Sequence, residues 1–87
     1  MNSSVNKDDL KLAVTAALGG DWNQAHLIAQ ESDDRIGHWI HAVLHKIEND
    51  ESNSRYWYAR AHKDYEDFTD PAAELNAILQ FLQNTSA

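Results

Sequence analysis

Apolar positions along this chain recur at three- and four-residue intervals and nowhere settle into the two-residue alternation of a strand. Five segments carry the helical rhythm. In the first, Leu10, Ala13, Val14, Ala17 and Leu18 mark a helix that Asn6 and Asp9 open as a capping pair and Gly19-Gly20 stops. The second runs from Trp22 to about Ser32, opened by Asp21 and Gln24, with Ala25, Ile28, Ala29 and Ser32 on one face. The third, Arg35 to Asn49, is the longest apolar-periodic run. Ile36, Trp39, Ile40, Val43, Leu44 and Ile47 form one broad face, while His38, His41 and His45 take the opposite one with Glu48 at its margin. Asp33 or Asp34 caps its start, and Asn49 stands in for glycine at its end. The fourth runs from Glu51 to about Asp64 behind the Asp50 cap, with Ser54, Trp57, Tyr58, Ala61 and Tyr65 as its stripe. After the acidic, turn-rich YEDFTDPAAE, Asp70-Pro71 starts a fifth helix whose single stripe is Leu75, Ile78, Leu79 and Leu82. A helix with one apolar face suits the end of a stack. A helix engaged on two sides belongs in its middle, so Arg35 to Asn49 is expected to be the most buried.

Shifting the chain by 29 residues lays it partly on itself. Gly20-Asp21 meets Asn49-Asp50, and Ala25, Ile28, Ala29 and Ser32 meet Ser54, Trp57, Tyr58 and Ala61. Upstream, Ala13, Val14 and Leu18 meet Ala42, Val43 and Ile47. Internal similarity at such a period predicts stacked helical hairpins. The strings LGGDWNQAHLIAQES and HKIENDESNSRYWYARA resemble the turn and second helix of tetratricopeptide and Sel1-like repeats. That resemblance rests on the small–aromatic–small positions Ala25, Ala29, Ser32 and Ser54, Tyr58, Ala61, of which only Tyr58 supplies the aromatic. It implies two antiparallel hairpins and a role in binding protein. The chain departs from the pattern in its period, short of the usual ~34 residues. It departs also at Ala13 and Ala42, which stand where glycine is usual, and at Asp9 and His38, where tryptophan is usual. WIHAVLH, followed by Glu48, Asp50, Asn53 and YWYARA, resembles more specifically a family of small microbial proteins, a likeness that implies no activity.

The expectation is one all-α domain over residues 1–87: a frayed start at 1–6, hairpins at 7–32 and 34–64, and a capping helix at 70–84. Composition narrows its role. Fourteen acids against seven Lys and Arg give a net charge of −7, a field that repels phosphate backbones and anionic membranes. No apolar run approaches the ~20 residues a spanning helix needs. The opening MNSSVNKDDL lacks the apolar stretch of a signal peptide. With no cysteine, neither disulfide nor thiolate metal site can form, and a cytoplasmic setting is expected.

Candidate chemistry then falls to the histidines and to a few aromatic residues. His41 and His45, four apart on one helix, have a spacing that suits a metal such as zinc; a further ligand would come from His26, His62 or a neighbouring acid. Against this stands the plainer reading that they pack on the fourth helix, beside Trp57, Tyr58 and Ala61. Tyr56 with Arg60, one helical turn apart, reads as an exposed partner-binding pair, and Trp39 as a contact lining a groove. No serine elbow, cysteine or phosphate loop is present, and the paired acids sit at helix starts where the macrodipole favours them. The expected function is therefore a protein-interaction or self-association module, with no cofactor and no enzymatic role. The alternative is a histidine-based metal or small-ligand site between the third and fourth helices.

Overall fold

The computed structural model describes residues 5–84. Five α-helices follow one another: α1 Lys7–Leu18, α2 Trp22–Gln30, α3 Arg35–Ile47, α4 Glu51–Ala61 and α5 Pro71–Asn84. A 3-10 turn at Tyr65–Asp67 lies between the last two. The fold is all-α, as the periodicity requires.

Each start is set by a short polar side chain. Asn6 Oδ1 accepts from Asp9 N at 2.9 Å, and Asp9 returns the bond to Asn6 N, so both partners of the capping box are engaged. The expected fraying of residues 1–6 does not reach Asn6, and Val5 packs against the core; residues 1–4 lie outside the described chain. Asp21, Asp34 and Asp50 cap α2, α3 and α4, and Asp70 accepts from Ala72 N ahead of Pro71. Three helices end earlier than periodicity suggests, α3 among them at Ile47. α2 stops at Gln30, and α4 stops where His62 turns left-handed at φ 60°. Tyr65 therefore belongs to the 3-10 turn and not to the α4 stripe.

The turn after α1 recurs after α3 with the 29-residue offset. Gly20 and Asn49 are both left-handed, at φ 91° and 63°. Asp21 N donates to Ala16 O at 2.8 Å, and Asp50 N to His45 O at 2.9 Å. Asp21 then accepts from Gln24 N as Asp50 does from Asn53 N. The pairs Ala25 and Ser54, Ala29 and Tyr58, Ser32 and Ala61 are all buried. The two hairpins thus repeat in bond pattern as well as in apolar spacing.

Helix α3 is the centre of the molecule. It packs against each of the other four helices, and every residue from Trp39 to Leu44 is buried. Helix α5 lies across α1 and α3, on the side away from the histidines. Its Glu74 is 1 % exposed, yet its carboxylate is fully engaged. Trp39 Nε1 donates to it at 2.8 Å, Tyr58 OH at 2.7 Å and Lys46 Nζ at 3.0 Å. Lys46 gives its remaining protons to the carbonyls of Tyr65 and Phe68, both at 3.0 Å. A buried ion pair is tolerable only when its donors and lone pairs are satisfied in this way. Burial first, and then the bond to Glu74, pushes the Tyr58 phenol pKa far up.

One glycine is required by close approach. A Cβ at Gly37 would lie 2.1 Å from Ser32 Oγ and 2.4 Å from Ser32 Cβ. Rotating Ser32 cannot relieve the second contact, and its hydroxyl is held by Asp34 N at 3.0 Å. Gly37→Ala is expected to cost about 1–3 kcal/mol by overpacking, read as a lower urea midpoint with unchanged slope.

Candidate functional site

The sequence draws attention to two places, and the structure treats them differently. The first is the histidine face of α3. His41 is 5 % exposed, and its ring stacks on Trp57 of α4 with centroids 4.0 Å apart. His45, one turn on, stacks loosely on His41 at 5.0 Å. Helix α2 closes the group from the other side. His26 approaches His41 edge-on at 4.7 Å and His45 at 5.5 Å, and stacks on Trp22 at 4.7 Å. Trp22 is itself fixed by its indole N–H, which donates to the Leu44 carbonyl at 2.8 Å. Each of the three histidines offers one nitrogen, and these nitrogens lie within 4.8 Å of one another. His45 Nδ1 also pairs with Glu48 Oε1 at 2.5 Å. The cluster therefore sits between α2 and α3, with α4 contributing a wall, and not between α3 and α4 alone. His38 packs on Trp57 outside the group, and His62 ends α4 apart from it.

The electrostatics follow from burial. Desolvation, then the neighbouring His26, His45 and His38, lowers the His41 pKa to about 3. Desolvation, then His45, also lowers His26. His38 is lowered by desolvation and then by Arg60, against a smaller opposing effect of Asp33 and Asp34. The Nδ1 atoms of His38 and His41 are buried with no hydrogen-bond partner.

The second place is the surface of α4 with its surroundings. Tyr56 is 54 % exposed, and the Arg60 guanidinium lies 5.7 Å from its ring centroid and 5.5 Å from that of Trp57. Beyond them a cleft of about 500 Å³ opens between the start of α3, the end of α4 and α5. Ile36, Ala61 and Phe81 supply its apolar lining; Asp34, Arg35, His62 and Lys63 supply its polar groups. Phe81 is 46 % exposed. Among the described residues no carboxylate stands within ion-pair distance of Arg35, Arg60 or Lys63.

Family models, curated proteins and solved structures yield no match to this chain. The site is therefore read from its own geometry.

Trp39 does not take the expected role. It is 6 % exposed, bonded to Glu74 and covered by α5, with the Lys63 ammonium 4.3 Å from its ring centroid. The fifth helix occupies the surface that it was expected to offer. Tyr56 and Arg60 do lie on the surface, as a contact pair requires. Sequence reasoning missed Glu74, Lys46 and Phe81. The first two leave a faint signal, each being a single charge beside an apolar stripe and of opposite sign on two helices, but only the packing of α5 on α3 pairs them.

Proposed function

We propose that the chain is an interaction module that pairs with a second copy of itself through the α3–α4–α5 cleft and the adjoining Tyr56–Arg60 face. The observation that supports this reading is the cleft itself, with its apolar lining and, at its edge, cations that have no carboxylate partner. Arg35 and Lys63 line the cleft and Arg60 lies near them, none within ion-pair distance of a carboxylate among the described residues. Asp33 and Asp34 stand close to the same edge, near enough to act on His38 together with Arg60. Such a mixed-charge border is complementary to itself across a two-fold axis, as an isologous dimer demands. Arg60, Lys63 and Arg35 of one copy face Asp33 and Asp34 of the other, and each Phe81 enters the opposing cleft.

Size argues that the cleft does not act alone. A stable interface takes ~800 Å² from each partner, roughly a sixth of this molecule's 5102 Å². Tyr56 and Arg60 extend the contact along α4, and Tyr and Arg are favoured interface anchors. A cytoplasmic setting is part of the same reading, since a chain without cysteine gains nothing from an oxidising compartment.

Sedimentation equilibrium at several concentrations tests the proposal. A monomer–dimer equilibrium is expected, weakening as salt screens the border charges. Phe81→Glu and Lys63→Glu are expected to shift it to monomer, whereas Leu27→Glu, on the exposed surface of α2, leaves it intact. A strict monomer at every concentration contradicts the reading, and so does a dimer indifferent to Phe81→Glu.

A further inference from the structure

We propose that His26, His41 and His45 form a binding site for a first-row divalent transition metal. The residues come from both hairpins: His26 from α2 of the first, His41 and His45 from α3 of the second. Their candidate nitrogens lie within 4.8 Å of one another. Nitrogens bound tetrahedrally to zinc at ~2.05 Å stand about 3.3 Å apart. Small rotations of the rings about their side-chain torsions close that difference.

Two further observations point to a ligand. His41 is 5 % exposed, yet its Nδ1 has no hydrogen-bond partner. An orphaned buried polar atom calls for an explanation, and coordination of this ring supplies one. His45 Nδ1 is held by the Glu48 carboxylate at 2.5 Å, which leaves the other ring nitrogen available to a metal. A carboxylate holding the far nitrogen of a ligating histidine fixes its tautomer and raises its basicity. Glu48 and Asp50 also extend the group towards solvent, with ligand atoms within 4.8 Å of one from His45. Water fills the remaining positions, and half-buried His26 leaves a route of entry.

The chemistry of the donors selects the metal. Imidazole suits zinc, nickel, copper and cobalt, whereas calcium and magnesium require a shell of oxygens. A bound metal ties α2 to α3, and so links the two hairpins at a second point opposite α5.

The test uses the full-length, tag-free chain, stripped with a chelator and titrated with zinc chloride by calorimetry. Nickel chloride is titrated in parallel with tryptophan fluorescence as the readout, since Trp22 and Trp57 flank the histidines. One-to-one binding of either metal is expected. His26→Gln, the least buried substitution of the three, is expected to weaken it at least about tenfold, and Glu48→Gln about tenfold. His38→Gln and His62→Gln leave it unchanged. Should His41→Asn or His45→Asn fail to fold, the imidazole carbon-bound proton resonances of the native chain still decide: zinc must shift those of His26, His41 and His45 together. No heat and no shift up to millimolar metal overturns the proposal, as does binding that survives His26→Gln but is lost with His62→Gln.

Discussion

Glu74→Ala is expected to destabilise the chain by about 3–5 kcal/mol, the cost of leaving a buried charge without its partner. The carboxylate is the only group among the described residues that ties Lys46, Tyr58 and Trp39 together. Its removal strands the Lys46 ammonium, whose side chain is 7 % exposed, and leaves the Tyr58 hydroxyl and the Trp39 indole N–H without acceptors. A domain of this size holds only about 5–10 kcal/mol in total, so the variant should be partly unfolded at room temperature. Circular dichroism against urea provides the measurement. Glu74→Gln should cost less, since it retains an acceptor oxygen for Tyr58 or Trp39 while losing the charge that Lys46 needs. The double change Glu74→Leu with Lys46→Met should recover only the part of the loss that comes from the stranded Lys46 charge, since Tyr58 and Trp39 still lack an acceptor. A Glu74→Ala variant within about 1 kcal/mol of the native chain would mean that the pair is not buried as described.

The second large effect is acid lability of the metal-free protein. Burial and the facing histidines hold His41 down to about 3, and His26 and His38 are also lowered. The unfolded chain returns each to an ordinary ~6.5. Below that value the unfolded state binds protons that the folded state refuses, so folding weakens as pH falls. The contribution is fully present above about pH 6.5 and is lost on the way down towards pH 3. His41, lowered to about 3, removes about 1.4 kcal/mol per pH unit in that window, about 3 kcal/mol by pH 4.5, and His26 and His38 act in the same direction. Urea midpoints between pH 7.5 and 4.5, with a chelator present, are expected to fall steadily. His41→Phe, which keeps an aromatic ring against Trp57, should flatten the slope. A midpoint constant from pH 7 to pH 5 would show that the histidine face is hydrated and not packed.

These two effects arise on opposite faces of α3, and the two faces were unequally legible in the sequence. Helix starts were plain, because Asn6, Asp21, Asp50 and Asp70-Pro71 act locally on the backbone beside them. The 29-residue repeat was plain for the same reason: Gly20 and Asn49 announce the same left-handed turn. The burial of α3 followed from its two occupied faces. What covers each face did not follow, since that depends on residues distant in the chain. Glu74 lies on the apolar side of α5, four and eight residues before Ile78 and Leu82, but an acid there reads as surface until Lys46 is placed opposite it. His26 was one of three possible additions to His41 and His45; only the packing of α2 on α3 selects it. Trp39 looked like a contact because two hairpins alone leave their α1–α3 side open. The chain closes that side with α5, which moves the open surface to the cleft beside Phe81.

The proposed dimer joins two copies across that cleft. The most direct test is an isotope-filtered nuclear Overhauser experiment on an equal mixture of carbon-13-labelled and unlabelled chains. Intermolecular signals are expected from the Phe81 ring of one chain to the Ile36 methyl groups of the other. No intermolecular signal at concentrations where the chain is otherwise well behaved, or signals confined to α1 and α2, would contradict it.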